Sequence, residues 1–322
     1  MALGGGKTSR CPEHITLQPH GWNQEPGRRV PIILLGTKFM SKACGYKGRS
    51  RNHACRKCSA KIEFGFALLL GSTAVYGIND SEVMSGNYTD SSGYGHCFTL
   101  SVSPLKLTTI TDPKGTSTSC YSINSSGTIA GGYALAAGFS NGFVYQNGVF
   151  TDIVVPTATA GTVAFGVNDN GAVVGYFADN VGTHGFLFNG PTYTVLNAPG
   201  ATATFALGIN NSNLITLQSF NSSGVLSSWV LNGSTYTALN VPGAVTTGVH
   251  SINNKNEIAF AWTDSENASH GAIFAENKYF LINDPAGTNT SIDTVNDNNM
   301  FVGHFQPSGA AQSQGFLAVV TN

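Results

Sequence analysis

Charged side chains are scarce in this sequence. Asp, Glu, Lys and Arg make up 10% of its 322 residues, well below the usual quarter of a soluble protein. Arginine is absent after Arg56, so most of the chain lacks the side chain that typically clamps carboxylates and phosphates. No apolar run approaches the ~18 residues that a membrane-spanning helix needs. The sequence therefore predicts neither an arginine-clamped site in the body of the protein nor a transmembrane span.

Recognisable catalytic motifs are missing as well. The sequence contains no G-x-S-x-G, no H-E-x-x-H, no Walker loop and no G-x-G-x-x-G that opens a helix. Carboxylate pairs suited to glycoside hydrolysis are not recognisable, because most acidic residues lie in turns such as Asn168-Asp169-Asn170-Gly171. No catalytic residue and no cofactor is predicted.

What the sequence does contain is a repeat. A [G/S]-[I/V]-N triplet, with Thr in the first place of the last copy, recurs at intervals of 42 to 45 residues, ending at Asn79, Asn124, Asn168, Asn210, Asn253 and Asn296. Proline recurs every 43 residues, at Pro113, Pro156, Pro199, Pro242 and Pro285. A fixed period near 43 is typical of propellers and arrays and not of a conventional enzyme domain.

Each repeat has the pattern of four short strands. In the third copy these are Ala172–Phe177, Gly185–Phe188, Thr192–Leu196 and Thr204–Ile209, all rich in β-branched and aromatic residues and bounded by turn residues. The first turn places Gly171 where φ is expected to be positive, and asparagine takes that place in later copies. The neighbouring strands are therefore predicted to be antiparallel.

A four-stranded unit of this size cannot bury both of its faces, so the copies must pack on each other. Radial packing gives an all-β fold, a β-propeller of six four-stranded blades. The sixth copy ends after its third strand, at Gly315–Val320, and Lys61–Leu70 has the composition of the missing strand. We therefore expect an N-terminal strand to close the ring.

The N-terminal arm differs sharply from the rest. Residues 1–62 hold 12 of the 16 Lys and Arg but only two acidic residues, whereas residues 63–322 hold four basic and 15 acidic residues. Residues 1–60 are predicted to be a disordered basic arm and 61–322 the propeller. Alternatively, translation begins at Met40, and the basic run up to Lys61 and the apolar Phe64–Leu70 form a signal peptide cleaved after Ala74. That alternative competes with the closing strand for the same residues. The arm is poor in aromatics, which argues against nucleic-acid binding.

Cysteine allows two hypotheses. Cys44, His53, Cys55 and Cys58 could hold a structural zinc ion, but no strand or knuckle pattern surrounds them, and the prediction is that no metal is bound. Cys97 and Cys120 lie within predicted strands at non-equivalent positions. They are expected to be buried free thiols, with a disulfide between them as the alternative.

The repeat resembles a known family. Its Gly-Ile-Asn, turn, G-x-Y, H-G-F-L-F and P-G-A elements, from Gly71 to Val320, resemble the HAF repeat family of bacterial extracellular proteins. The family is named for a His-Ala-Phe triplet, which is here His96-Cys97-Phe98, Asn141-Gly142-Phe143, His184-Gly185-Phe186, Ser227-Ser228-Trp229, His270-Gly271-Ala272 and Gln314-Gly315-Phe316. The resemblance implies an exported bacterial propeller and brings no catalytic residues.

Three sets of repeat-equivalent residues carry specific expectations. The histidines of the triplets are expected to be structural hydrogen-bonding residues. The aromatics Phe98, Phe143, Phe186, Trp229 and Phe316 are expected to be buried between blades. The position three residues before each key asparagine carries Tyr76, Tyr121, Phe165, Leu207, His250 and Asp293.

Strand alternation places this last position on the apolar face of the residue two places later. His250 and Asp293 break that rule in consecutive copies. We therefore predict that they contact each other near the channel, and they are the candidate ligand-binding residues.

Two functions remain open. The favoured one is a monomeric extracellular binding or scaffold module for a glycan, a surface polymer or a protein. The alternative is a polysaccharide-active enzyme with its site at the mouth of the channel.

Overall fold

The computed structural model describes residues 73–282 except 137 and 139, together with 287–307, 309 and 313–321. Ahead of these it describes only the backbone pairing of residues 32–35, 38–39, 45–46 and 59–68. The rest of residues 1–60, for which disorder is predicted, falls outside the described part, and so do the start of the leader at Met40 and the side chains of Cys44, His53, Cys55 and Cys58. Every regular element within it is a β-strand.

Four strands precede the repeats. They are β1 (Ile32–Leu35), β2 (Lys38–Phe39), β3 (Gly45–Tyr46) and β4 (Ser59–Leu68). The first three repeats comprise β5 (Thr73–Ile78), β6 (Val83–Thr89), β7 (Gly95–Val102), β8 (Leu105–Ile110), β9 (Ser117–Ile123), β10 (Ile129–Ala134), β11 (Ser140–Gln146), β12 (Val149–Ile153), β13 (Thr162–Val167), β14 (Val173–Ala178), β15 (Thr183–Asn189) and β16 (Thr192–Leu196). The last three comprise β17 (Ala203–Ile209), β18 (Ile215–Phe220), β19 (Leu226–Asn232), β20 (Thr235–Leu239), β21 (Thr246–Ile252), β22 (Ile258–Thr263), β23 (Ser269–Ala275), β24 (Lys278–Ile282), β25 (Gly287–Val295), β26 (Met300–Pro307) and β27 (Gln314–Thr321).

Consecutive strands of each repeat pair antiparallel, as the turn residues predict. The third and fourth repeats are joined into one eight-stranded sheet by a single parallel pairing of Thr183 with Ala203. In the sixth repeat β4 lies antiparallel beside β27, with Gly65 opposite Phe316. On the far side of β4 lies β1, and β3 pairs with β24.

The hydrophobic core is divided into six clusters, and each combines residues of two consecutive repeats. One of them joins the two ends of the series, because Phe98 of the first repeat packs in the same cluster as Val302 and Leu317 of the sixth. Sheets that pack face to face around a circle form a β-propeller arrangement. The predicted all-β propeller is confirmed at this level.

The six repeated asparagines form a closed ring of hydrogen bonds. The side-chain Nδ2 of each donates to the backbone carbonyl of the next, at 3.0 to 3.1 Å, and Asn296 donates back to Asn79. The Oδ1 of each accepts from backbone N–H groups two and four residues on, for example from Asn170 and Ala172 to Asn168. One side chain thus fixes both its own turn and the neighbouring repeat. The positive φ predicted for Gly171 is confirmed.

The repeated aromatics pack over glycine. Phe98, Phe143, Phe186 and Phe316 are fully buried, as predicted. A Cβ placed on Gly175 would come 2.9 Å from the ring of Phe186, and Gly86, Gly131 and Gly303 lie under the other three rings in the same way. The prediction is wrong for Trp229, which is only partly buried, because Leu217 takes the place of that glycine and is itself fully buried.

The expectation of free thiols at Cys97 and Cys120 is wrong. The two sulfurs form a disulfide, with the Cα atoms 5.3 Å apart, and both residues are fully buried. Position in the repeat did not suggest a pair, because Cys97 lies in the third strand of one repeat and Cys120 in the first strand of the next. These strands face each other across the boundary between repeats, so the bond joins two sheets.

Candidate functional site

A cavity of about 480 Å³ occupies the centre of the ring, bordered by the first strands of all six repeats. Its wall includes the residue three positions before each ring asparagine. Four of these six residues are apolar or aromatic, and the last two are His250 and Asp293. This volume is within the range of small-ligand pockets.

The structure corrects the alternation argument for this position. In every repeat the ladder between the first two strands skips this residue, so it forms a β-bulge. A bulge leaves one residue unpaired and redirects its side chain. In the first repeat Val75 and Ile78 therefore share one core cluster, while Tyr76 between them borders the cavity. This residue therefore borders the channel in all six copies. It is not a core position at which His250 and Asp293 are exceptions.

One side of the cavity is a continuous series of aromatic rings, which we call the aromatic arc: Tyr76, Tyr121, Phe165, Tyr176 and Phe205. Successive ring centroids are 5.8, 4.2, 5.8 and 4.9 Å apart. Tyr121 and Phe165 are stacked, and the other pairs meet edge-on or tilted. Such contacts hold each ring in a fixed orientation. The arc therefore presents a rigid, largely apolar surface with phenol hydroxyls.

The opposite side is polar. His250 Nδ1 lies 3.0 Å from Asp293 Oδ1, so the predicted contact is confirmed. A third member is His304, whose Nδ1 lies 2.8 Å from Asp293 Oδ2. Asp293 also accepts a hydrogen bond from Ser291 Oγ at 3.0 Å and is only 6% exposed. We call His250, Asp293 and His304 the His–Asp–His cluster.

The pKa values in this cluster are set by burial and by charge pairing, which act in opposite directions. Burial would raise the pKa of Asp293, but His304 and His250 outweigh it and hold the pKa of this carboxyl well below its usual range. The same carboxylate raises the pKa of His304, against the opposing effect of burial. Burial, with smaller contributions from Asp293 and Tyr121, raises the pKa of Tyr76, which stays a neutral phenol. Asp293 is therefore ionised, and its carboxylate favours the protonated form of His304.

The orientation of the imidazoles has a chemical consequence. His304 Nδ1 donates to Asp293 Oδ2, and His250 Nδ1 donates to Ile292 O at 3.1 Å while lying 3.0 Å from Asp293 Oδ1, so each Nδ1 carries the proton and each Nε2 is directed away from Asp293. A second cavity, of about 600 Å³, is bordered by His304 and shares Tyr76, His250 and Asp293 with the central one. The cluster thus lies between two cavities and can hydrogen-bond to a ligand in either.

Sequence reasoning missed His304. It stands in the second strand, where the other repeats carry Asn87, Gly132, Tyr176, Gln218 and Ala261. Its signal was available as the only histidine at that place. The bulge in the first strand brings the two strands' channel residues together, and the sequence does not reveal the bulge.

The cavity has an acidic mouth. The residue after each ring asparagine borders the cavity, and we call these six the mouth ring: Asp80, Ser125, Asp169, Asn211, Asn254 and Asp297. The backbone N–H of each member from Ser125 to Asp297 donates to the side-chain Oδ1 of the next member at 2.8 to 2.9 Å, and the last of these bonds ends on Asp80. Burial would raise the pKa of Asp169, but hydrogen bonds from Asn211 and Ser125 outweigh it and lower it. In the described part of the chain no lysine or arginine lines the cavity.

The triplet histidines behave as predicted and lie outside both cavities. His96 and His270 contact the turn carboxylates Asp90 and Asp264 through Nε2 at 2.9 and 2.8 Å. Each ring also stacks on an aromatic of the second strand, such as Trp262 at 4.4 Å for His270. These contacts pin the outer turns, so the histidines are structural.

Comparison with known proteins identifies only the fold. No family model matches the sequence, and no curated protein matches it. Solved structures do match: a lectin mutant from Aleuria aurantia in complex with Fucα1-6GlcNAc has a TM-score of 0.50 at 12% identity, over 78% of this chain and 94% of the lectin. A putative TolB from Agrobacterium tumefaciens has a TM-score of 0.54 at 11% identity, over 80% and 94%. A gluconolactonase from Xanthomonas campestris has a TM-score of 0.51 at 8% identity, over 82% and 90%.

At these identities the likeness shows a shared β-propeller fold and nothing of ligand or activity. Among residues 73–282, 287–307 and 313–321 there is no helix long and apolar enough to cross a membrane. No cluster of three metal-ligating side chains occurs in the described part of the chain either. The class that fold and site define together is a propeller with a mixed aromatic and polar central cavity.

Proposed function

We propose that this protein is an exported, six-bladed β-propeller of the HAF repeat type that binds a glycan in its central channel. The six-membered asparagine ring and the six inter-repeat clusters support the blade count. The pairing of β4 with β27 supports closure by an N-terminal strand. The Cys97–Cys120 disulfide supports export, since such bonds persist in oxidising compartments.

The observation that carries glycan binding is the two-sided wall of the cavity. A pyranose ring has an apolar face of C–H groups and an edge of hydroxyls. The aromatic arc matches the first, and the His–Asp–His cluster, whose Nε2 atoms face away from Asp293, matches the second. That glycan-binding lectins share this fold adds support without identifying the sugar.

The test is a glycan array probed with residues 59–322, with the full chain in parallel. We expect binding to a discrete set of glycans and a loss of about tenfold or more in affinity on Tyr121→Ala, because the variant removes a stacking ring from the arc. Tyr94→Ala is the matched control, since Tyr94 is half exposed and lies outside both cavities. No binding to any glycan, or equal binding by both variants, would refute the proposal.

A second candidate is a polysaccharide-active enzyme, favoured by one observation. An imidazole whose Nδ1–H is held by a backbone carbonyl beside a buried carboxylate presents Nε2 as a general base, and His250 has this arrangement, with Ile292 O and Asp293 Oδ1, beside the second cavity. Release of new reducing ends or unsaturated products from bound glycans, abolished by His250→Gln, would favour this function. Unchanged glycans after prolonged incubation would exclude it for the ligands tested.

A further inference from the structure

We propose that the channel selects saccharides bearing a protonated amine over neutral and anionic ones, an inference that rests on the proposed glycan site. Among the residues that the structure describes, the central cavity is bordered by four carboxylates, those of Asp80, Asp169, Asp293 and Asp297, and by no lysine or arginine. Asp293 is balanced by His304 at 2.8 Å. The three carboxylates of the mouth ring have no cationic side chain paired with them among the described residues.

Hydrogen bonds surround two of the carboxylates of the mouth ring. Asp169 accepts from Ser125 N, Ser125 Oγ and Asn211 Nδ2, and Asp297 accepts from Asn254 N and Asn254 Nδ2. All of these donors are neutral, so they stabilise the negative charge without cancelling it. The nearby turns add Glu82 and Glu257 against the single exposed Lys255. The field at this end of the channel is therefore negative.

The aromatic arc reinforces the same preference. The faces of phenol and phenyl rings attract cations through their quadrupole, and five such rings line the cavity from Tyr76 to Phe205. Tyr76 lies near the end of β5 and Asp80 in the turn that follows, four residues on, so a sugar on the arc is on the order of 10 Å from the mouth carboxylates. At that separation in water each carboxylate changes the affinity for a unit charge about twofold, and three change it about eightfold. A protonated amine is therefore expected to bind more tightly than a neutral sugar at this place, and a uronate more weakly.

The chain provides its own control for this inference. Asn211 and Asn254 occupy the mouth ring in the fourth and fifth repeats and make the same backbone contacts as the aspartates. Replacing Asp80, Asp169 and Asp297 by Asn together should thus remove three charges without breaking the ring. Glu266→Gln is the matched control, since Glu266 is exposed in an outer turn away from the cavity.

The experiment compares a β-1,4-linked glucosamine tetramer, its fully N-acetylated form and a tetragalacturonate by calorimetry. The pH is chosen to protonate the amine and ionise the carboxylates. We expect the glucosamine tetramer to bind about eightfold more tightly than the acetylated one at ~10 mM salt, with the ratio falling at ~1 M salt. The triple Asn variant should lose this ratio, and Glu266→Gln should keep it.

Equal affinities for the two tetramers, a preference for the galacturonate, or a ratio unchanged in the triple Asn variant would each overturn the charge selectivity and leave glycan binding standing. Binding of none of the three oligosaccharides would also overturn it, and the glycan array would then decide the proposed function separately.

Discussion

Truncation of one inter-repeat aromatic tests the packing of the ring most directly. Phe186 is fully buried in a cluster that holds Ala130 and Ile153 of the preceding repeat. Its ring lies over Gly175, whose own Cβ would come 2.0 Å from Val163 O. The glycine therefore cannot be replaced by a larger residue to refill the space. Because the site cannot collapse, Phe186→Ala should cost about 3 to 5 kcal/mol, as for other large core truncations.

The assay is thermal and urea unfolding of residues 59–322. For a body of this size the melting temperature changes by about 2 to 4 °C per kcal/mol, so a decrease of roughly 6 to 20 °C is expected. Val195→Ala is the control, because Val195 lies opposite Phe186 in the ladder but is 50% exposed, and it should cost less than about 0.5 kcal/mol. A cost below roughly 1 kcal/mol for Phe186→Ala would mean that the aromatics do not hold the repeats together.

Four further predictions follow from named contacts. Removing the disulfide with Cys97→Ala and Cys120→Ala should lower stability by about 3 kcal/mol in urea, and a thiol reagent that labels unfolded residues 59–322 would contradict the bond. Deleting residues 1–70 should lower the melting temperature because it exposes the edge of β27, whereas deleting 1–31 should not; equal effects would argue against closure. The pKa of His304 is raised in the folded state, so the protonated imidazole stabilises the fold. This contribution is complete below the unfolded pKa of about 6.5 and is lost as the pH rises through the folded pKa. The free energy of unfolding should therefore decline above about pH 6.5 in the wild type but not in His304→Gln. In a double-mutant cycle, His250→Leu and Asp293→Leu should be non-additive, and additivity within about 0.3 kcal/mol would refute the contact.

The repeat period, the hairpin turns and the burial of four aromatics could be predicted because each depends on residues close in sequence. Gly171 is an example, since its positive φ is a local requirement of the turn. The disulfide could not be predicted in this way. Cys97 and Cys120 belong to different sheets, and only the angle at which the sheets pack brings their Cα atoms to 5.3 Å.

The bulge explains both what succeeded and what failed at the site. Strict alternation put His250 and Asp293 on the core face, yet their contact was predicted correctly, because adjacency of consecutive first strands does not depend on which face the side chains take. His304 was missed because its pairing with Asp293 needs the bulge, which lets a first-strand residue contact a second-strand residue of its own repeat.

The departures from the repeat pattern in its last copies have two different physical causes. In the fourth and fifth repeats Leu217 and Phe260 replace the glycine, and Trp229 and Ala272 replace the phenylalanine above it. In the fifth repeat the large and small partners are exchanged, and in the fourth Leu217 fills the core while Trp229 is only partly buried. Both changes keep the core filled, so they need no functional explanation. No such exchange accounts for His250, Asp293 and His304. A buried carboxylate costs free energy unless it is paired, and the two imidazoles that pair it both border a cavity. Substitutions that depart from the repeat but keep the core filled have a structural explanation. Substitutions that place charged groups at the channel mark the site where a ligand should be sought.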